Sequence, residues 1–247
     1  MTHQINFTFQ ESDWTTPSEY PNLKDAEVIA IDLETKDPDI KTKGPGWPSM
    51  NGNIIGISVA TDSFKGYYPI SHEAGSNMDA RMVLNWVQDV CRAPGVKVFH
   101  NAAYDIGWLR AHGIVVYGKV ADTMIAAALI NENRRNYSLN SLSMDYLSEL
   151  KSEAGLKEAA KEWGIDAKGE MYKLPPKFVG PYAEQDASLT LRLWHRFKIE
   201  IIRQNLSDVW DMEMELLPLL IHMRAKGVEL ILMEHTNLKK NLLKKKK

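Results

Sequence analysis

One short apolar segment sets the strongest constraint on the fold. Residues 27–31 read Glu-Val-Ile-Ala-Ile, which predicts a β-strand buried on both faces and therefore central in a sheet. Asp32 and Glu34 follow at once, two positions apart, so both side chains point to the same face. Two carboxylates this close repel each other and lose hydration, which is unfavourable unless a cation lies between them. A solvated turn is the commoner explanation of such a pair, and a metal site is the alternative.

Two later segments carry polar pairs at helical spacing. Asn101 and Asp105 are four positions apart after a predicted strand at 97–99, and Tyr182 and Asp186 are four apart on a predicted long helix. Residues at i and i+4 share one face of a helix. Each pair alone has a structural explanation, since Asn101 is a preferred N-cap residue and Asp105 would favour the helix dipole. Together, these carboxylates offer the oxygen ligands that Mg²⁺ prefers, and two such ions about 3.5–4 Å apart suit phosphodiester hydrolysis.

The order of elements predicts an α/β fold with a mixed sheet flanked by helices and a helical C-terminal part. Strands are expected at 27–31, 54–60, 65–70 and 97–99, with a further edge strand at 5–9. Pro69 places the 65–70 strand at an edge, because proline cannot donate a ladder hydrogen bond. Helices are expected at 79–91, 101–112, 122–130, 138–150, 154–163, 180–202 and 208–226. The Pro-, Gly- and Lys-rich segment 36–53 is expected to be a loop.

Composition excludes several classes of protein. The single cysteine, Cys91, rules out an internal disulfide framework and a CxxC zinc ribbon. No apolar run approaches the roughly 20 residues of a membrane span, and the N-terminus shows no signal peptide. Six lysines lie in the last nine residues, so residues 1–238 carry a net charge of −8 within a total of −2. An acidic body argues against holding duplex nucleic acid by bulk charge.

The motifs together resemble the DEDD superfamily of 3′→5′ exonucleases, in the subgroup whose third motif carries a tyrosine. The resemblance is carried by Asp32 and Glu34 in AIDLET, Asp105 in HNAAYD, and Tyr182 and Asp186 in YAEQD. Segments 121–131, 136–147 and 212–230 are similar to parts of family A DNA polymerases, including bacterial polymerase I and its phage relatives, around their proofreading domain. The resemblance implies an RNase H-like fold over about residues 27–230. It also implies a cytoplasmic protein of a bacterial or phage-infected cell.

The resemblance also implies roles for individual residues. Asp32, Glu34 and Asp186 would hold one Mg²⁺ ion, and Asp32 with Asp105 would hold a second; Mn²⁺ could replace either. Tyr182 would orient the attacking water, because an unperturbed tyrosine with a pKa of about 10 is a poor base at neutral pH. The substrate-binding candidates are Leu33, Thr35 and Asn101, although core packing explains Leu33 equally well.

The expected organisation follows from the same resemblance. It comprises an N-terminal strand and arm at 1–26, an exonuclease domain at 27–206, and a polymerase-like first helix with a lysine-rich tail at 207–247. The expected substrate is the 3′ end of single-stranded or frayed DNA. The expected products are nucleoside 5′-monophosphates, released one at a time. Because 247 residues cannot also hold a polymerase, a separately encoded polymerase is an expected partner. The protein is expected to be a monomer and to have no membrane partner.

Three other functions compete with this one. A ribonuclease D-like RNA exonuclease would use the same carboxylates, although the segments after the second motif favour the polymerase lineage. A catalytically weak binding subunit of a split polymerase would be expected to have lost at least one of the acidic residues. An RNase H-like endonuclease is disfavoured by the Tyr-x-x-x-Asp pattern on a late helix.

Overall fold

The computed structural model describes residues 12–228, and its centre is a mixed five-stranded sheet. The strands are β1 (Val28–Lys36), β2 (Asn53–Thr61), β3 (Phe64–Pro69), β4 (Val96–Phe99) and β5 (Val120–Asp122). Their order is β3-β2-β1-β4-β5, which confirms a central β1 and an edge position for β3. β1 pairs antiparallel with β2 and parallel with β4. The strand expected at 5–9 lies outside the described residues.

Two predictions about the strands need correction. β1 runs five residues past Ile31, so Asp32 and Glu34 lie within the strand rather than just beyond its end. They face Ser58 and Gly56 of β2, and the pairing shifts register directly after Glu34. No strand was expected at β5, and its last residue, Asp122, was expected to begin a helix, but all three residues pair parallel with β4. A segment this short shows too little alternation to be recognised as a strand.

Eight helices surround the sheet in the described part of the chain. They are α1 (Ile40–Lys43), α2 (Ala80–Arg92), α3 (Ala102–Ala111), α4 (Thr123–Ile130), α5 (Leu139–Leu147), α6 (Ala154–Trp163), α7 (Pro176–Arg203) and α8 (Ser207–Lys226). The short α1 and a 3₁₀ turn at Trp47–Ser49 occupy the predicted loop 36–53. α7 begins four residues before its predicted start, because Pro176 occupies the first turn, where proline is tolerated. Among residues 12–228, no helix is long and apolar enough to cross a membrane.

The side chains of β1 point alternately to its two faces, and each face packs against a separate hydrophobic core. Ile29, Ile31 and Leu33 face a core shared with α2, α3 and α8. Val28 and Ala30 face a second core, built largely from α4, α5 and α7. Since side chains alternate along a strand, Asp32 and Glu34 continue the second face and point towards α7. The apolar positions of β1 therefore determine where its carboxylates lie.

Candidate active site

Three carboxylates meet where β1 passes under α7. Asp32, Glu34 and Asp186 each present an oxygen atom within 4.8 Å of the others. Glu34 and Asp186 are buried, at 8% and 5% exposure, whereas Asp32 is partly open to solvent. The first and third sequence motifs are thus brought together as predicted.

Burial raises the pKa of each of these acids, and repulsion from neighbouring acids adds to it for Asp32 and Glu34. For Asp32, burial is the largest cause and repulsion from Asp186 the next, and they raise its pKa to about 7. Burial, followed by repulsion from Asp32, raises the pKa of Glu34 well above its ordinary value. Burial also raises the pKa of Asp186, against the opposing charge of Lys151. The cluster therefore needs positive charge to be fully ionised at neutral pH.

The donor set fits a divalent metal ion. Oδ1 of Asp186 is buried and has no hydrogen-bond partner among the described residues. Such an atom is costly unless it binds a proton donor or a cation. Three convergent carboxylates supply hard oxygen ligands, and the open side of Asp32 gives a route from solvent.

Asp105 is placed differently from the other predicted acids. It lies on α3, is 3% exposed, and its Oδ1 accepts a hydrogen bond from the backbone N–H of Leu33 at 3.2 Å. Burial, followed by repulsion from Asp32, raises its pKa well above the ordinary value. Asp105 is therefore close to Asp32 but outside the three-carboxylate cluster, and its role as a metal ligand stays a prediction.

Tyr182 lies beside the cluster together with Lys151, which sequence reasoning did not single out. Nζ of Lys151 is 3.0 Å from the Tyr182 hydroxyl and 2.5 Å from Oδ2 of Asp186. Burial, followed by repulsion from Glu34, raises the pKa of Tyr182. Lys151 lies in the loop between α5 and α6. One lysine in a polar loop has no periodic or motif signal that could have identified it.

The expected substrate-binding residues have separate surroundings. Leu33 is 6% exposed and packs in the core with α2 and α3, and its substrate role stays a prediction. Thr35 Oγ1 lies 2.6 Å from the hydroxyl of Tyr104. Asn101 is exposed, has a left-handed φ of 71°, and its side chain makes no capping hydrogen bond in the described structure. Asn101 therefore occupies the N-cap position of α3, but its side chain does not cap the helix.

Asp122 performs the capping that Asn101 does not. Its carboxylate accepts hydrogen bonds from the backbone N–H groups of Asn101 at 3.0 Å and Ala102 at 2.8 Å. It also accepts one from Met124, at the start of α4. Asp122 thus fixes the N-terminus of α3, the helix that carries Asp105, from across the sheet edge.

Comparison with known proteins identifies the family. The profile of a 3′-5′ exonuclease family matches residues 18–202. The DNA-directed DNA polymerase of Pseudomonas phage M6 is 40% identical over 233 residues, which cover 91% of this chain and 35% of that protein. The chain belongs to the 3′-5′ exonuclease family of polymerase-like proteins. The DNA polymerase DpoZ of Salmonella phage PMBT28 is 32% identical over 216 residues, 85% of this chain and 32% of that protein. The chain thus spans about a third of the length of these relatives.

Solved structures share the fold. Pol1 of M. smegmatis, solved as its POL domain with a DNA primer-template and dNTP, has a TM-score of 0.63 at 16% identity, covering 90% of this chain and 32% of that one. NrnC of Brucella melitensis bound to pGG has a TM-score of 0.60 at 16% identity, covering 85% of this chain and 93% of that one. The predicted RNase H-like architecture of the exonuclease is confirmed.

Proposed function

We propose that this chain hydrolyses the 3′-terminal phosphodiester of single-stranded or frayed DNA and releases nucleoside 5′-monophosphates. The observation that carries the proposal is the cluster of Asp32, Glu34 and Asp186 within a chain of the 3′-5′ exonuclease family. The DNA polymerases among its relatives favour DNA as the substrate. The region matched by the family, residues 18–202, supports an exonuclease domain at about 27–206.

Each side chain in the site has a defined task in this proposal. Asp32, Glu34 and Asp186 would hold a divalent ion, Mg²⁺ or Mn²⁺, and Asp105 with Asp32 would hold a second. Bound ions would supply Lewis-acid chemistry, activating a water and stabilising the leaving 3′ oxygen. Because burial raises the pKa of Tyr182, its hydroxyl stays protonated and orients the attacking water by hydrogen bonding.

The three substrate-binding candidates keep their roles in this proposal. Asn101 is exposed at the start of α3, one turn before Asp105, where its amide is free to meet the substrate strand. Leu33 and Thr35 flank Glu34 on β1. We assign both of them to the terminal nucleotide, with Thr35 held in place by Tyr104.

A digestion assay tests the proposal. A 5′-labelled single-stranded DNA with Mg²⁺ should give a ladder that shortens from its 3′ end, and EDTA should abolish it. Asp32→Ala should abolish it as well, whereas Asp89→Ala, at an exposed position on α2, should leave it unchanged. Absence of shortening by folded wild-type protein in either Mg²⁺ or Mn²⁺ would refute the enzyme assignment and favour a binding subunit.

RNA is the second candidate substrate. The fold is shared with NrnC bound to pGG and, at a TM-score of 0.56 and 22% identity, with the catalytic core of RRP6 from Trypanosoma brucei. A parallel digest of DNA and RNA oligonucleotides of the same sequence separates the candidates. Faster shortening of the RNA would transfer the assignment to a ribonuclease D-like activity.

The exposed face of α8 supports a polymerase partner. Five apolar side chains lie on one side of this helix and are 38–58% exposed: Met212, Leu216, Leu219, Leu220 and Met223. We call them the α8 stripe. Trp210, Leu217 and Ile221 occupy the opposite side and are buried. Because α8 is already packed on one side within the described residues, the exposed α8 stripe is suited to contact a polymerase part.

A further inference from the structure

Lys151 is inserted into the carboxylate cluster from outside the sequence motifs. Its side chain is 6% exposed, with Nζ 2.5 Å from Oδ2 of Asp186. The same nitrogen lies 3.0 Å from the Tyr182 hydroxyl and 4.3 Å from the centre of the Tyr182 ring. Lysine is rarely buried without a partner, and here the partner is an acid assigned to metal binding.

The backbone on both sides of Lys151 is fixed. Its own N–H donates to Asn140 Oδ1 on α5 at 3.2 Å, and the N–H of Ser152 donates to Gln185 Oε1 on α7 at 2.7 Å. An ion pair between Glu149 and Arg192 holds the preceding turn to α7. The loop therefore directs the lysine into the site.

The two oxygens of Asp186 have different surroundings. Oδ2 is bonded to the ammonium group, while Oδ1 is buried and without a hydrogen-bond partner among the described residues. A divalent ion on Oδ1 would lie within a few ångströms of the ammonium, where positive charges repel strongly in a partly buried site. The charge of Lys151 also lowers the pKa of Asp32 and Glu34 against the effect of burial.

We infer that Lys151 is an internal counter-ion of the carboxylate cluster that competes with the divalent metal and sets its affinity. The inference rests on the proposed metal-dependent function. Without a divalent ion, the ammonium group neutralises part of the cluster and stabilises the fold. When a divalent ion is present, repulsion from the ammonium group weakens its binding. A higher free metal concentration is therefore needed to fill the site.

Metal titration of charge variants tests this inference. Mn²⁺ binding is measured by calorimetry without nucleic acid for wild type, Lys151→Met and Lys151→Arg. We expect Lys151→Met to bind Mn²⁺ about tenfold more tightly or better, because a unit charge close to the ion is removed. Its melting temperature in EDTA should be lower than that of wild type, whereas Lys151→Arg should stay near wild type in both measurements. Lys157→Met, at a 63% exposed position on α6, is the matched control and should change neither.

The possible outcomes separate the two proposals. Unchanged or weaker Mn²⁺ affinity in folded Lys151→Met overturns the inference and makes Lys151 a structural ion-pair partner. If wild type binds Mn²⁺ and digests DNA but Lys151→Met binds Mn²⁺ no more tightly, the inference about Lys151 is refuted and the proposed function stands. Failure of every variant and of wild type to bind Mn²⁺ refutes the metal site and the lysine inference together. Circular dichroism verifies folding, and Lys151→Gln replaces the methionine variant if that one does not fold.

Discussion

At the residue scale, the site brings acidic side chains together in an interior that disfavours their charge. Glu34 and Asp186 are buried on facing elements, and Asp32 completes the group at its open side. Burial is the first cause of their raised pKa values, and repulsion between neighbouring acids adds to it for Asp32 and Glu34. Such an arrangement is unfavourable for stability alone, which supports a function in binding cations.

Replacing Glu34 tests this balance between stability and activity. Glu34→Gln keeps the shape of the side chain and removes an acid whose charged form burial and repulsion disfavour, so the melting temperature in EDTA should stay level or rise. Loss of a metal-holding carboxylate removes a contribution of several kcal/mol to transition-state stabilisation, so the rate of DNA shortening should fall about 100-fold or more. Glu162→Gln, at an exposed position on α6, is the control. Activity within about threefold of wild type would contradict a ligand role for Glu34.

The titration of Asp32 gives a prediction about pH. Its pKa is raised from 3.8 to about 7, so between these values the folded chain holds a proton that the unfolded chain releases. In EDTA, the stability of the fold should therefore fall as pH rises through this window. Divalent ions need the ionised carboxylate, so Mg²⁺ affinity should rise over the same window and level off above it. Melting curves and Mg²⁺ titrations between pH 5 and 8 provide the measurement, and unaltered profiles in Asp32→Asn would assign the effect to another group.

The predictability of the site differs among its residues. Asp32 and Glu34 could be placed on one face from the alternation of a strand, and Tyr182 and Asp186 from the spacing of a helix. That these two faces meet depends on how α7 packs on the sheet, which the motif resemblance implied and local pattern did not. Lys151 depends on the path of a loop, so its position in the cluster could be found only in the structure.

At the scale of elements, the segment between β1 and β2 shows what composition alone leaves out. Its prolines and glycines predicted a loop, but Trp47 within it is 3% exposed and packs in the core against α3. The contact is possible because α3 has Gly107 at that place: a Cβ there would lie 2.3 Å from the Trp47 ring. The pairing of a loop tryptophan with a helix glycine is a tertiary feature with no local sequence signal.

A pair of glycine substitutions tests this packing. Gly107→Ala should destabilise the fold by about 1–3 kcal/mol, because the added methyl group overpacks the tryptophan ring. Gly155→Ala on α6 is the matched control: apart from its chain neighbours and its own helix, no atom of the described residues lies within 4 Å of its added Cβ, so it should stabilise by about 0.5–1 kcal/mol. Urea denaturation of both variants gives the two free energies of unfolding. Equal changes in the free energy of unfolding for the two variants would show that the Trp47 ring moves aside at little cost. Trp47 would then not fix the segment against α3.

At the scale of the whole molecule, the mixed sheet, the central position of β1, the edge position of β3 and the helical C-terminal part were predicted, whereas the exposed surface of the last helix was not. α8 carries apolar residues on two opposite sides, and periodicity alone cannot tell which side faces the core. The structure assigns Trp210, Leu217 and Ile221 to the core and leaves the α8 stripe exposed. Since the relatives are about three times as long as the matched region, their remaining part is the natural candidate to cover it.

A binding experiment tests the role of the α8 stripe. The probe is the part of the Pseudomonas phage M6 polymerase that lies outside the region matched by this chain. Wild type should bind it, and Met223→Glu should weaken binding about tenfold or more, because a charge would be buried in an apolar contact. Met82→Glu on α2, where Met82 is 55% exposed against 58% for Met223, is the matched control and should bind like wild type. Both variants should digest single-stranded DNA normally, since neither position lies among the site residues. Equal binding by the two variants would show that the polymerase docks elsewhere and that the α8 stripe serves another contact.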